Sequence, residues 1–290
     1  MKKILLIYTG GTIGMIQNPV TGALENFDFD NLLQHVPELR RFDLDILTHT
    51  FNPPIDSSDM EPTQWRKLTE IIASHYAACD GFVVLHGTDT MAFTASALSF
   101  MLEGLNKPVI LTGSQLPIGM LRTDGKENLI TAIEIAAATH PDGTPMVPEV
   151  CVFFHEKLMR GNRITKSSAD EFDAFESFNC PHLATSGVDI HYHTEVIRPY
   201  DPTAVLTPHL AMDTNLLIFS LFPGIQPDIV RKMLATPGLK GIIFRTFGSG
   251  NAPQQPWLVD QLAEATRSGK VIVNITQCQS GSVQMGLYET

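Results

Sequence analysis

The sequence predicts an α/β protein with a larger N-terminal, mainly parallel sheet carrying helices on both faces, and a smaller C-terminal α/β domain. Three observations predict it. Short apolar runs without alternation, such as Ile4-Leu5-Leu6-Ile7 and Gly81 to Leu85, recur as strands buried on both faces do. Segments with helical spacing lie between them, which is the alternation of βαβ units with right-handed crossovers. Beyond a stretch rich in Pro, His and Thr, the alternation returns on a smaller scale. The expected division is residues 1–185, a linker over 186–212, and residues 213–290.

The first strand ends in Tyr8-Thr9-Gly10-Gly11-Thr12-Ile13-Gly14. Glycine tolerates positive φ and close backbone approach, so Thr12 is placed on a tight turn at the carboxyl end of a strand, where open α/β sheets bind ligands. The spacing is neither G-x-G-x-x-G nor G-x-x-x-x-G-K-[ST], which disfavours phosphate binding. Thr12 is then either a reactive hydroxyl or a turn former. Residues 13–26 are expected as a loop beside it, a candidate lid, followed by a helix-like stretch from Phe29 to Leu39.

Leu44 to Phe51 reads as a second strand leading into the polar loop Asp56-Ser57-Ser58-Asp59-Met60. Pro62 suits the first turn of a helix whose apolar positions are Trp65, Leu68, Ile71, Ile72 and Tyr76. Gly81 to Leu85 ends in His86-Gly87-Thr88-Asp89-Thr90, and Met91 to Leu102 is helical. Lys107 to Leu111 gives the next strand, Thr112-Gly113-Ser114-Gln115 its loop, Asn128 to Ala138 a helix and Val150 to Phe154 a strand. In the second unit, strands are expected over Asn215–Leu221, Gly241–Thr246 and Lys270–Thr276, with helices over Pro227–Ala235 and Trp257–Arg267. Parallel strands send their polar loops to one edge, so Thr12, Ser57, Ser58, Thr88, Asp89 and Ser114 should share it.

Composition narrows the partners. With 290 residues, 43% of them hydrophobic and 18% charged, the chain can bury a sizeable core and is not a disordered or repeat scaffold. A formal charge of −11 argues against nucleic acid or anionic membrane surfaces and favours a small polar ligand. Met1-Lys2-Lys3 and the short apolar run after it do not make a signal peptide, and no apolar window is long enough to span a bilayer, so a cytoplasmic location is expected. The cysteines, Cys79, Cys151, Cys180 and Cys278, form no C-x-x-C pair and are expected as free, mostly buried thiols. His191 and His193 lack the carboxylate support of a metal site.

Thr88 and Asp89 admit two readings. Thr88 fills a turn while Asp89 and Thr90 cap the following helix, or the carboxylate beside the hydroxyl orients a lysine or a substrate ammonium. Lys166 in Gly161-Asn162-Arg163-Ile164-Thr165-Lys166 is the candidate lysine.

Taken together, these motifs resemble those of the L-asparaginase family, closest to its cytoplasmic type I branch. Tyr8 to Gly14 looks like its first signature, His86 to Thr90 like its second, and Gly161 to Lys166 like its lysine motif. Asp56 to Met60, Arg122-Thr123-Asp124-Gly125 and Gly248-Ser249-Gly250-Asn251-Ala252-Pro253 follow the same order. The resemblance implies hydrolysis of L-asparagine to L-aspartate and ammonia without metal or organic cofactor, by a homodimer or homotetramer. It implies Thr12 as the nucleophile of an acyl-enzyme, and Thr88, Asp89 and Lys166 as a second catalytic group. Ser57 and Ser58 would bind the substrate α-carboxylate and Asp89 its α-ammonium, Asp56, Thr88 and Ser114 would also belong to the substrate site, and backbone amides near Thr88 and Ser114 would receive the oxyanion. Thr165, Arg245 and Cys278 resemble positions lining an effector pocket in some members.

Two departures stand out. Many members carry a tyrosine in the loop after the first threonine, and residues 13–26 hold none; Tyr288 is the expected substitute. The resemblance also leads one to expect a further helix or two beyond Thr290. An asparagine or aspartate sensor without turnover, and an amidase preferring glutamine, are the alternative readings.

Overall fold

The computed structural model describes residues 1–17, 21, 24–26, 36–284 and 286. By its internal contacts the chain divides into Met1–Ala211 and Met212–Thr290. The first unit is built on one sheet whose strands are β1 (Lys2–Tyr8), β2 (Leu44–Thr50), β3 (Gly81–Leu85), β4 (Val109–Thr112), β5 (Val150–Phe154), β6 (Lys157–Arg160), β7 (Ala184–Ser186) and β8 (Ile190–Tyr192). Their order across the sheet is β8-β7-β6-β5-β4-β3-β1-β2. The first five in sequence pair in parallel, as expected. The last three extend the sheet antiparallel.

Helices α1 (Pro62–His75), α2 (Met91–Met101) and α3 (Gly125–Ala137) make the crossovers. Pro62 occupies the first turn of α1, and the Glu61 N–H donates to Gln64 Oε1 at 3.0 Å, closing a capping arrangement. The unalternating apolar strands divide their side chains between two cores. Ile4, Leu6 and Tyr8 pack with Leu129, Ala132 and Ile133 of α3, while Leu5 and Ile7 pack with Leu68 and Ile72 of α1 and Leu98 of α2. Burial on both faces is why β1 shows no period-two pattern.

The order of the strands fixes where a ligand can bind. From β1 the chain places β2 on one side, then crosses to the other side for β3, β4 and β5. The crevice at the carboxyl ends of β1 and β3 is therefore a topological switch point, the usual ligand site of an open parallel sheet. Register keeps the strand ends level, with Tyr8 beside Thr50 and Leu85, and Leu85 beside Thr112.

Several expectations change. Helix α3 begins at Gly125 rather than Asn128, with Asp124 at its N-cap position and the Gly125 N–H donating to Thr123 Oγ1 at 2.9 Å. Residues 29–35 of the expected Phe29–Leu39 helix lie outside the described residues, and Pro37–Arg41 forms a 3-10 turn. Within the expected loop 13–26, Met15–Gln17 and Leu24–Asn26 pair as antiparallel strands. The stretch 186–212 is tied into the first unit rather than hanging as a connection, since β8 pairs with β7 and Thr207–Pro208 with Leu102–Glu103. These pieces are two or three residues long, too short to show a period in the sequence.

The second unit holds a parallel sheet of β9 (Leu216–Ser220), β10 (Gly241–Thr246) and β11 (Val271–Thr276), in that order, with α4 (Pro227–Leu234) and α5 (Pro256–Arg267). Phe219, Ile242 and Phe244 pack with Val230 and Leu258 of the helices. Leu216, Ile218, Val271 and Val273 on the other face are exposed among the described residues.

Candidate active site

The Thr12 turn is shaped by glycines that meet other backbones. A Cβ at Gly10 (φ 138°) would lie 2.0 Å from the Ile55 carbonyl oxygen, and one at Gly11 (φ 92°) 2.5 Å from both N and Cα of Gly87. A Cβ at Gly87 in turn would stand 2.5 Å from Ser57 Oγ. The loops after β1, β2 and β3 are thus in direct backbone contact, and side chains at these glycines would hold them apart. Hydrogen bonds continue the seam: Thr9 N–H and Oγ1 donate to the Leu85 carbonyl at 3.0 and 2.9 Å. Ile55 N–H donates to the Thr9 carbonyl at 2.7 Å.

Tyr8 supports the turn from below. Its ring fills the space where a Gly14 Cβ would be, 2.2 Å from Cζ, and its hydroxyl donates toward the Gly14 and Gly11 carbonyls at 3.2 and 3.3 Å. Burial pushes this phenol up to about 12, so it remains a donor at any ordinary pH. Thr12 opens a short 3-10 turn, Thr12–Gly14, and its hydroxyl has no hydrogen-bond partner among the described residues.

Across the crevice, Lys166 Nζ donates to Thr88 Oγ1 at 2.9 Å and to Asp89 Oδ1 at 2.7 Å. The Lys166 side chain is largely covered while that of Asp89 is 63% exposed, so the carboxylate remains open to solvent. Lys166 reaches the site from an arm in which Thr165–Lys166 pairs antiparallel with Phe175–Glu176. Phe175 anchors the arm edge-on against Phe154 of β5, ring centroids 4.9 Å apart. Glu176 ties it down through Lys157 Nζ at 2.8 Å and His182 Nε2 at 2.9 Å. The Lys157 hydrogen bond, against burial and with help from His182, holds the Glu176 carboxyl down at about 2.

The cap reading of Asp89 and Thr90 is not what forms. Thr90 is the N-cap of α2 but makes no side-chain cap bond; its hydroxyl donates to the Ser57 carbonyl at 2.6 Å and stitches two loops. Ser57 is buried, whereas Asp56 and Ser58 are exposed and bonded to each other, Ser58 N–H and Oγ both donating to Asp56 Oδ1 at 2.9 Å. Those donors, the backbone one first, hold the Asp56 carboxyl below its usual range. Ser114 is buried and donates to the Leu116 carbonyl at 2.6 Å, close to the Thr12 turn, since a Cβ at Gly125 would stand 3.3 Å from Ser114 Cβ and 3.4 Å from Ile13 Cγ1.

Tyr288 lies outside the described residues. Thr165 belongs to the first unit, and Arg245, on β10, and Cys278 to the second. Cys278, expected at the end of a buried strand, is exposed, because β11 is covered on one face only among the described residues. Cys79 and Cys151 are buried free thiols. Among the described residues no group of three or more His, Cys, Asp or Glu could hold a metal, and no helix is long and apolar enough to cross a membrane.

Sequence reasoning passed over two supports. Asp124, within the Arg122 to Gly125 motif, accepts from the Gln115 and Leu116 amides at 2.9 and 3.1 Å and so shapes the loop after β4. His86, buried beneath Gly87, was quoted without a role. Its place directly before a glycine at a strand end was the available signal.

An open parallel sheet with hydroxyl, lysine and carboxylate side chains on the loops at its switch point is the arrangement of a ligand-binding α/β protein. Comparison with known proteins specifies it. The asparaginase N-terminal family profile matches residues 3–198, and that of the glutaminase/asparaginase C-terminal domain residues 215–290. L-asparaginase 1 of Escherichia coli strain K12 is 45% identical over 295 aligned positions, covering 100% of this chain and 83% of that protein. The human 60 kDa lysophospholipase is 43% identical, covering 97% of this chain and 52% of that protein. The crystal structure of L-asparaginase I from Vibrio cholerae superposes with a TM-score of 0.89 at 42% identity, over 98% of this chain and 84% of that one. The chain belongs to the asparaginase family and is an enzyme of the amidohydrolase type.

Proposed function

We propose that this enzyme hydrolyses L-asparagine to L-aspartate and ammonia through an ester on Thr12. The observation that carries the reading is the pair of contacts from Lys166 Nζ, to Thr88 Oγ1 at 2.9 Å and Asp89 Oδ1 at 2.7 Å, across a crevice whose other wall is the Thr12 turn. Thr12 Oγ attacks the side-chain carboxamide carbon; the C–N bond then breaks and nitrogen leaves as ammonia, carrying the hydroxyl proton. Water, held by Thr88 and Lys166, attacks the ester, giving its hydroxyl to L-aspartate and its second proton back to Thr12. The exposed carboxylate of Asp89 binds the substrate ammonium, Ser57 and Ser58 its α-carboxylate, and Asp56 belongs to the same substrate loop. Backbone amides near Thr88 and Ser114 receive the oxyanion.

In the same reading Tyr288 assists Thr12, the enzyme is cytoplasmic and works as a homodimer or homotetramer, and Thr165, Arg245 and Cys278 contribute to an effector site. Ammonia release measured over a range of L-asparagine concentrations tests the reading. Saturable turnover, lost in Thr12→Ala and Lys166→Ala with the fold intact, is expected. Binding of asparagine without ammonia makes the protein a sensor instead. Faster turnover of L-glutamine assigns the preference differently, since one methylene is worth about 1–3 kcal/mol of discrimination.

A further inference from the structure

We propose that His86 is a positioning residue: it fixes the plane of the Gly87–Thr88 peptide so that the Thr88 N–H faces the substrate carbonyl as an oxyanion donor. The inference rests on the hydrolase reading above and deepens it.

His86 follows β3, its N–H donating to the Thr112 carbonyl at 2.9 Å, and its ring is 1% exposed beneath the glycine loop. Nδ1 lies 2.7 Å from the Gly87 carbonyl oxygen, which can only accept, so the ring proton is on Nδ1. Burial lowers the imidazole to about 4, leaving it neutral and Nε2 a bare acceptor. Thr94 Oγ1, on α2, donates to that nitrogen at 2.8 Å. The hydroxyl oxygen in turn accepts from Trp65 Nε1–H of α1 at 2.9 Å. An indole can only donate, so the whole chain runs one way, from Trp65 through Thr94 and His86 to the Gly87 carbonyl.

Glycine has no side chain of its own to hold a peptide plane, and the close approach of Ser57 and Gly11 forbids one at position 87. The carbonyl of Gly87 is therefore held toward the core by His86. Its peptide with Thr88 is trans, so the Thr88 N–H points the opposite way, toward the side on which Lys166 meets the Thr88 hydroxyl. Among the described residues that N–H has no hydrogen-bond partner. Rotation of this one peptide would exchange the donor for a carbonyl oxygen and repel a developing oxyanion.

The test is steady-state hydrolysis of L-asparagine by wild type, His86→Asn, His86→Gln and Thr94→Val, with melting temperatures beside each. Asparagine returns an N–H near the Nδ1 position, while glutamine reaches toward the Nε2 side. His86→Gln should lower kcat about 100-fold with KM within about threefold, the loss typical of a misplaced oxyanion donor. His86→Asn should recover kcat to within about tenfold, and Thr94→Val, which removes the donor that orients the ring through Nε2, should lose about tenfold. Unchanged kcat in His86→Gln overturns the proposal, as does equal loss in both His86 variants with KM rising in parallel. If His86→Gln does not fold, Thr94→Val decides, and wild-type kcat in it overturns the proposal. An active wild type with indifferent variants removes this inference alone; an inactive wild type removes the hydrolase reading and this inference together.

Discussion

Two threonines end neighbouring strands of one sheet, and their surroundings differ. Thr88 is met by a lysine and flanked by a carboxylate that the same lysine binds. Thr12 sits on a turn closed by glycines and a buried tyrosine, and no side chain hydrogen-bonds to its hydroxyl among the described residues. The first loop is assembled chemistry, and the second is a rigid mount. What this teaches is a division of labour: backbone packing sets where Thr12 stands, whereas side chains from distant sequence set what Thr88 can do.

The largest effects should separate the two. Thr12→Ala should abolish ammonia release, about a 10⁴-fold loss of kcat/KM, including any first turnover. Lys166→Met should lower steady turnover about 10³-fold yet leave a first burst of ammonia, because it disables the group assigned to the water step. Rapid-quench ammonia measurements distinguish them; equal bursts in both variants break the comparison.

The mount is tested next by Gly11→Ala. A Cβ there meets the Gly87 backbone at 2.5 Å and the φ of 92° is strained for alanine. Urea unfolding should show a loss of about 2–3 kcal/mol, with activity falling at both threonines together.

A smaller, pH-dependent effect concerns the arm that brings Lys166. The Glu176 carboxyl is depressed from 4.5 to about 2 in the fold, so its contribution is fully present above the unfolded value and disappears as pH falls from 4.5 toward 2. Glu176→Gln should cost about 1–2 kcal/mol at neutral pH, allowing for its partial exposure, and should flatten the acid limb of a melting-temperature profile. An unchanged acid limb would show that the arm is held by Phe175 alone.

Much of this was legible in the sequence, unevenly. The unalternating strands Ile4 to Ile7 and Gly81 to Leu85 revealed the parallel sheet because burial on both faces leaves that pattern. The glycines at 10, 11 and 87 marked tight turns, but not that they touch each other, since contact between backbones leaves no periodicity. The antiparallel strands from Lys157 to Tyr192 are too short and too polar to declare themselves. Lys166 was found by motif; that it meets Thr88 depends on an arm fixed by Phe175 on Phe154 and Glu176 on Lys157, partners set by the tertiary fold. The His86 chain was invisible for the same reason, since Trp65 and Thr94 read simply as helix residues.

The most direct test of the division of labour is mass spectrometry of Lys166→Met after brief exposure to L-asparagine, followed by digestion. The account predicts an aspartyl ester on the peptide carrying Thr12. An ester on Thr88, or no adduct on any peptide, would contradict it.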